Sequence, residues 1–181
     1  MSKLIFEYPL FRALSTNAKL LYMQACQQRS PKGWVTYKGF TPLGITVVRI
    51  EDLAEQVNIE TNQYWDALGE LEVCGFAEYD RETHTIWLPT YFDYYRKPNN
   101  PNNFGNHLTS HFDDIPWSKT KQKCGKDLRK RAKEWGEGYE AKADAFIAHM
   151  IRKPRKSSTR LADIKLIKFP SKDGDLDTDE R

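Results

Sequence analysis

The sequence predicts a mainly α-helical chain with one small β-hairpin, and three observations support this. Apolar residues recur at helical spacing in three stretches between Leu14 and Cys74. Two extended runs rich in aromatic and β-branched residues flank a polar loop directly after them. Beyond a proline- and asparagine-rich segment, further helical stripes appear on strongly charged sequence.

In chain order, Leu14, Ala18, Leu21, Tyr22 and Ala25 form the first stripe, with Ser15 placed to cap it. Ile50, Leu53, Ala54 and Val57 form the second. After the short turn Asn58-Ile-Glu60, Tyr64, Ala67, Leu68, Leu71 and Cys74 form the third, with Thr61 as its expected cap and Gly75 as the left-handed residue that ends it. Phe76 to Asp80 and Thr85 to Leu88 then read as strands joined by Arg81-Glu-Thr-His84, and Pro89 limits the second by removing a ladder donor. Three helices and a hairpin in this order define a winged helix-turn-helix, expected as a unit over residues 1–95. Residues 96–103, with two prolines and four asparagines, read as a linker. Residues 104–151 read as a helical annex. It holds a short helix from Phe104 to Ile115 ended by Pro116, a cationic helix from a Ser118 cap to Trp135, and a third stripe at Tyr139, Ala143, Phe146, Ile147 and Met150. Residues 152–181 read as a flexible tail, basic at first and then acidic and disordered.

With 181 residues, 39% apolar and 13% aromatic, the chain can bury one modest core, and its apolar content is concentrated before about Phe92. No run approaches the roughly 18 apolar residues of a membrane span, so no membrane partner is expected. The N-terminal residues lack an apolar signal core, and a cytoplasmic location is the expectation. Cys26, Cys74 and Cys124 are widely spaced at helical positions, as reduced thiols would be.

Charge is distributed in blocks that the net value of +3 conceals. Residues 1–49 carry seven basic and one acidic side chain, whereas residues 50–80 carry nine carboxylates and no Lys or Arg. Lys119 to Lys133 holds eight cations against Asp127, and Arg152 to Lys168 holds seven against Asp163. Clustered cations create a local field that attracts polyanions whatever the mean charge.

These blocks define the candidate sites. The third helix of a helix-turn-helix normally enters the major groove, and Asn62 and Gln63 on its first turn are the candidate base readers. Asp66 and Glu70 share its outward face and would be repelled by phosphate, which makes them candidates for docking a basic protein partner. DNA contact is assigned instead to Lys119, Lys121, Lys123, Lys126, Arg129, Lys130, Arg131 and Lys133, whose spacing lets several charges follow one backbone. Arg152, Lys153, Arg155 and Lys156 would add a flexible second clamp. Trp117 and Trp135, at the ends of the cationic helix, read as packing residues, with stacking on unpaired bases as the alternative. His107 and His111 stand at i, i+4, but the residues between them lack the Glu of a zinc hydrolase and no further ligand pair accompanies them, so no metal is expected. The glycines form no phosphate loop. No catalytic residue or cofactor is assigned, and the chain is not expected to be an enzyme.

Phe6-Glu-Tyr-Pro-Leu-Phe with Leu14-Ser-Thr-Asn-Ala-Lys-Leu-Leu-Tyr22, Ile50-Glu-Asp-Leu-Ala-Glu55, Ala67-Leu-Gly-Glu-Leu-Glu-Val-Cys-Gly-Phe76 and Ile86-Trp-Leu-Pro89 resemble the N-terminal winged-helix region of phage and prophage replication proteins of the replication-initiator and DnaD-like helicase-loader group. Lys97-Pro-Asn-Asn-Pro-Asn-Asn103 and Phe112-Asp-Asp-Ile-Pro116 are similar to the linker and helix that follow in many such proteins. The resemblance covers roughly residues 4–130 and implies a non-catalytic protein that binds duplex or single-stranded DNA or a replicative helicase or its loader, with oligomerisation compatible with that role. Its departure is the uncharged or acidic helix from Asn62 to Cys74. Two other readings compete: a winged-helix transcriptional regulator reading duplex DNA through Asn62 and Gln63, and an acidic interaction module that inhibits a host protein.

Overall fold

The computed structural model describes residues 5–27, 42–94 and 97–152. The expected acidic tail, with Lys153, Arg155 and Lys156, lies outside the described residues. The elements in order are α1 (Pro9–Ala13), α2 (Thr16–Gln27), β1 (Ile45–Val47), α3 (Ile50–Gln56), α4 (Thr61–Val73), β2 (Glu78–Asp80), β3 (Thr85–Trp87), α5 (Tyr91–Tyr94), α6 (Pro101–His107), α7 (Lys119–Trp135) and α8 (Glu137–Met150), with a π-helical turn at Leu108–Phe112. The chain is therefore mainly helical with one small antiparallel sheet.

Local chemistry accounts for most of the boundaries. The Ser15 hydroxyl accepts the Ala18 amide at 3.1 Å and caps α2 as expected. Thr61 does not cap α4. The N-cap is Glu60, which makes no side-chain cap bond, and Thr61 is the first helical residue. Asn58 (φ 54°) turns the chain between α3 and α4, and Gly75 (φ 74°) follows α4 in the left-handed region. A polar hub ties the three helices together. Gln24 donates to the Leu53 carbonyl at 3.2 Å and accepts from the Tyr64 hydroxyl.

Two expectations change in the annex. Helix α6 begins at Pro101, inside the expected linker, because Asn100 accepts the Asn103 amide at 2.8 Å and Pro101 supplies a preset φ at the first helical position. The single helix expected from Phe104 to Ile115 is instead α6 followed by the π turn.

The sheet has strand order β1-β3-β2, all antiparallel. Strand β1 carries no signal in the sequence, since three residues hold too little alternation to mark a strand. The register sets Thr46 opposite Ile86 and Ile86 opposite Tyr79, and these form one face. The flanking pairs, Ile45 with Trp87 and Glu78 with Trp87, form the other. Ile86 and Tyr79 belong to a core with Phe11, Leu21, Tyr22, Ile50, Leu53, Leu68, Leu71 and Phe76. Ile45, with Val47 and Trp87 against it, belongs to a second core with Phe104, Leu108, Phe112, Cys124, Leu128, Ala132 and Ile147. A hydrophobic core thus covers each face, and the annex completes the sheet that the N-terminal helices begin.

The annex also reaches the outer edge of β1. The Gly44 carbonyl accepts from Leu88 and the Val48 amide donates to His84, both at 2.8 Å, so the two-residue period turns the Ile45 carbonyl off the edge of β1. Buried His111 donates to that carbonyl from Nε2 at 2.6 Å. No helix among the described residues is long and apolar enough to cross a membrane.

Candidate nucleic-acid interface

Helix α7 is the element on which the cations gather. Ser118 accepts the Lys121 amide at 3.0 Å and starts it, and Gly136 (φ 118°) ends it. At 100° per residue its buried positions, Thr120, Lys121, Cys124, Leu128 and Ala132, centre on one side. Lys119, Lys123, Lys126, Lys130 and Lys133 fall on the opposite side within an arc of about 80°, and all are exposed. The rise of 1.5 Å per residue spreads these five lysines along about 21 Å.

Two expected DNA contacts are corrected. Lys121 is only 3% exposed. Its ammonium donates to the carbonyls of Asp113 at 3.2 Å and Ile115 at 2.6 Å and lies 5.2 Å from the Phe112 ring centroid, so it closes the segment before α7. Burial pushes its pKa below the usual lysine value. Arg131 is half-buried and holds α5 against α7, donating to Asp127 at 2.7 Å, Asp93 at 2.8 Å and the Pro89 carbonyl at 3.1 Å. A periodicity count cannot separate such inward cations from surface ones, because a long stem can carry a charge back to carbonyls at the rim of the core.

The remaining cations differ in how far they are engaged. Lys123 pairs with Glu78 at 2.8 Å, Arg129 with Asp144 at 2.7 Å, and Lys133 loosely with Glu140 at 3.8 Å. Lys119, Lys126 and Lys130 have no ion pair among the described residues. Arg152 is exposed just beyond α8. Glu78, which the sequence did not single out, stands on the annex-facing side of β2 and accepts from both Lys123 and the Thr120 hydroxyl.

Both tryptophans are packed, in line with the first reading of them. Trp135 meets Phe92, Phe104 and Tyr139 edge to face at 4.9 to 5.6 Å between centroids, and Trp117 is half-buried and donates to the Ile151 carbonyl at 3.2 Å.

On α4, Asn62, Gln63 and Asp66 are exposed, and the Asn62 side chain accepts the Gln63 amide at 2.8 Å. Glu70 is corrected. Its carboxylate accepts both the Ser15 amide at 2.8 Å and the Ser15 hydroxyl at 2.6 Å, which fastens the start of α2 to α4. It is engaged in the fold and is not a free docking group. The hairpin loop folds toward the same helix, with the Arg81 guanidinium 4.6 Å from the Trp65 ring centroid. Tyr79 donates to the Val48 carbonyl and meets Nδ1 of His84 at 3.0 Å, and burial pushes its pKa up to about 12.

His107 and His111 do not form a ligand pair, because His111 turns inward to β1, and burial lowers the pKa of both. Among the described residues, no group of three or more His, Cys, Asp or Glu could hold a metal ion, and Cys26, Cys74 and Cys124 are free thiols. Comparison with family models, with curated proteins and with solved structures gives no match to this chain.

Proposed function

We propose that the chain is a phage-type DNA-binding replication protein, an initiator or helicase-loader accessory, that holds DNA along α7 and offers an acidic helix face to a basic protein partner. The observation that carries this reading is the exposed lysine stripe of α7, set opposite the buried face and containing three lysines without ion pairs among the described residues. Lysines in this arrangement neutralise phosphates and release counterions without reading bases. Lying on a lipid surface would require a free apolar face, and that of α7 is buried in the second core.

The order helix, strand, helix, helix, strand, strand, with sheet order β1-β3-β2, supports reading α2 to β3 as a winged helix-turn-helix. Its α4 face is unsuited to phosphate. Asp66 on α4, Glu60 at its N-terminal cap and Glu55 on the preceding α3 are exposed and without ion pairs among the described residues, and Arg81 is drawn onto Trp65. Such a face steers a basic protein.

The test is fluorescence anisotropy on the full chain carrying Lys119→Ala, Lys126→Ala and Lys130→Ala. Affinity should fall for every duplex, and the slope of log affinity against log salt should flatten by roughly 0.9 for each phosphate that is no longer neutralised. An unchanged slope refutes the α7 assignment. For the acidic face, Glu55→Gln, Glu60→Gln and Asp66→Asn together should weaken capture of a purified replicative helicase or loader while leaving the circular dichroism spectrum unchanged.

A further inference from the structure

We infer that the α7 stripe takes double-stranded DNA in preference to single strands, and takes it without regard to base sequence. This rests on the nucleic-acid reading above and adds the class of ligand.

Proteins that hold single strands combine a cationic track with aromatic rings on which bases stack. Among the described residues, the stripe has the track without the rings. Trp117 and Trp135 are tied into the fold, and Phe104, Phe112 and Tyr139 are buried behind α7. Among the described residues, the large aromatics that stand out to solvent, Phe6 and Tyr8, belong to the N-terminal segment, where they meet Phe11 and Phe76 edge to face.

Geometry favours the duplex as well. Helix α7, which carries the stripe, is capped by Ser118, tied to β2 through Glu78 and to α5 through Arg131, and backed by α8. Gly125 permits that backing, since a Cβ there would stand 2.3 Å from Ile151. A row of lysines spread along about 21 Å of one helix meets a stiff rod carrying one charge per roughly 1.7 Å of axis, or roughly 12 phosphates over its length. A single strand offers fewer charges over that distance and must also be straightened to meet them.

The absence of base reading follows from the donors. Each lysine of the stripe is a point charge on a flexible stem, without the planar fork that matches a base edge. Arg129, the arginine flanking the stripe, is engaged by Asp144.

The experiment compares the full chain bound to a labelled duplex of about 25 base pairs, to a duplex of scrambled sequence and to the corresponding single strand, between about 50 and 200 mM salt. The two duplexes should bind within about twofold of each other, and each about tenfold more tightly than the single strand. The Lys119→Ala, Lys126→Ala, Lys130→Ala variant should lose most of that difference. A single strand bound as tightly as the duplex overturns the inference and leaves the nucleic-acid reading standing. A scrambled duplex bound about tenfold more weakly overturns the claim that bases are unread. Binding of none of the three removes the underlying reading and the inference with it.

Discussion

Lys121 and Lys126 are five residues apart on one helix, yet they should respond in opposite ways to the same substitution. Lys121→Met keeps the apolar stem and removes the ammonium that serves the carbonyls of Asp113 and Ile115. A buried acceptor left without a donor costs about 1–3 kcal/mol. The Ile115 bond, 2.6 Å and buried, should count in full, whereas the Asp113 bond, 3.2 Å and only part-buried, should count in part because water can replace it. Relief from burying a charge, together with the methionine's own packing, offsets some of the loss, leaving about 1–2 kcal/mol. For a chain of this size that lowers Tm by roughly 3–6 °C. Lys126→Met removes an exposed charge that has no ion pair among the described residues and should change stability by less than about 0.5 kcal/mol. Thermal melts followed by circular dichroism read the first quantity, and DNA titrations at several salt concentrations read the second. Lys126→Met should flatten the salt slope by roughly 0.9, and Lys121→Met should leave it alone. A Lys121→Met protein with unchanged Tm and a flattened slope would refute the division of α7 into structural and DNA-facing lysines.

Three further outcomes are expected. A chain ending at Tyr94 loses the second core and leaves Ile45, Val47 and Trp87 facing water, so it should aggregate or melt without a cooperative transition; a soluble monomer with a sharp melt would show that the first core suffices. Glu70→Ala frees the Ser15 cap and should destabilise the chain by roughly 0.5–2 kcal/mol in urea titration, whereas a pure docking role predicts no change in stability. Burial lowers the pKa of His107 and His111, so the unfolded chain binds protons first: their contribution to stability is complete above about pH 6.5 and is lost as pH falls through that value toward the folded pKa. His111→Gln should flatten the dependence of Tm on pH between about 7.5 and 5, and a profile as steep as that of the unaltered chain would count against the buried neutral imidazole.

What the sequence determined by itself was local. The stripes fall on α2, α3 and α4 from Ala18 to Ala25, Ile50 to Ala54 and Tyr64 to Leu71, with Leu14 extended ahead of α2 and Val57 and Cys74 at the C-caps of α3 and α4; Ser15 and Ser118 cap their helices, Gly75 is left-handed, and the hairpin turns at residues 81–84, because each depends on neighbours a few positions away. The cationic face of α7 was legible for the same reason, since helical periodicity places residues on a face. Periodicity does not say where a long side chain ends, and only tertiary packing turned Lys121 and Arg131 inward, paired Lys123 with Glu78 and bound Glu70 to the start of α2. Tertiary structure likewise decided that the annex is no separate appendage. The three residues of β1 find their partners in β3, some forty positions away, and the second face of the resulting sheet is apolar enough to require α6, α7 and α8 against it. Pairing over such a distance leaves no periodic mark in the sequence, because the alternation that would reveal it needs more residues than β1 contains.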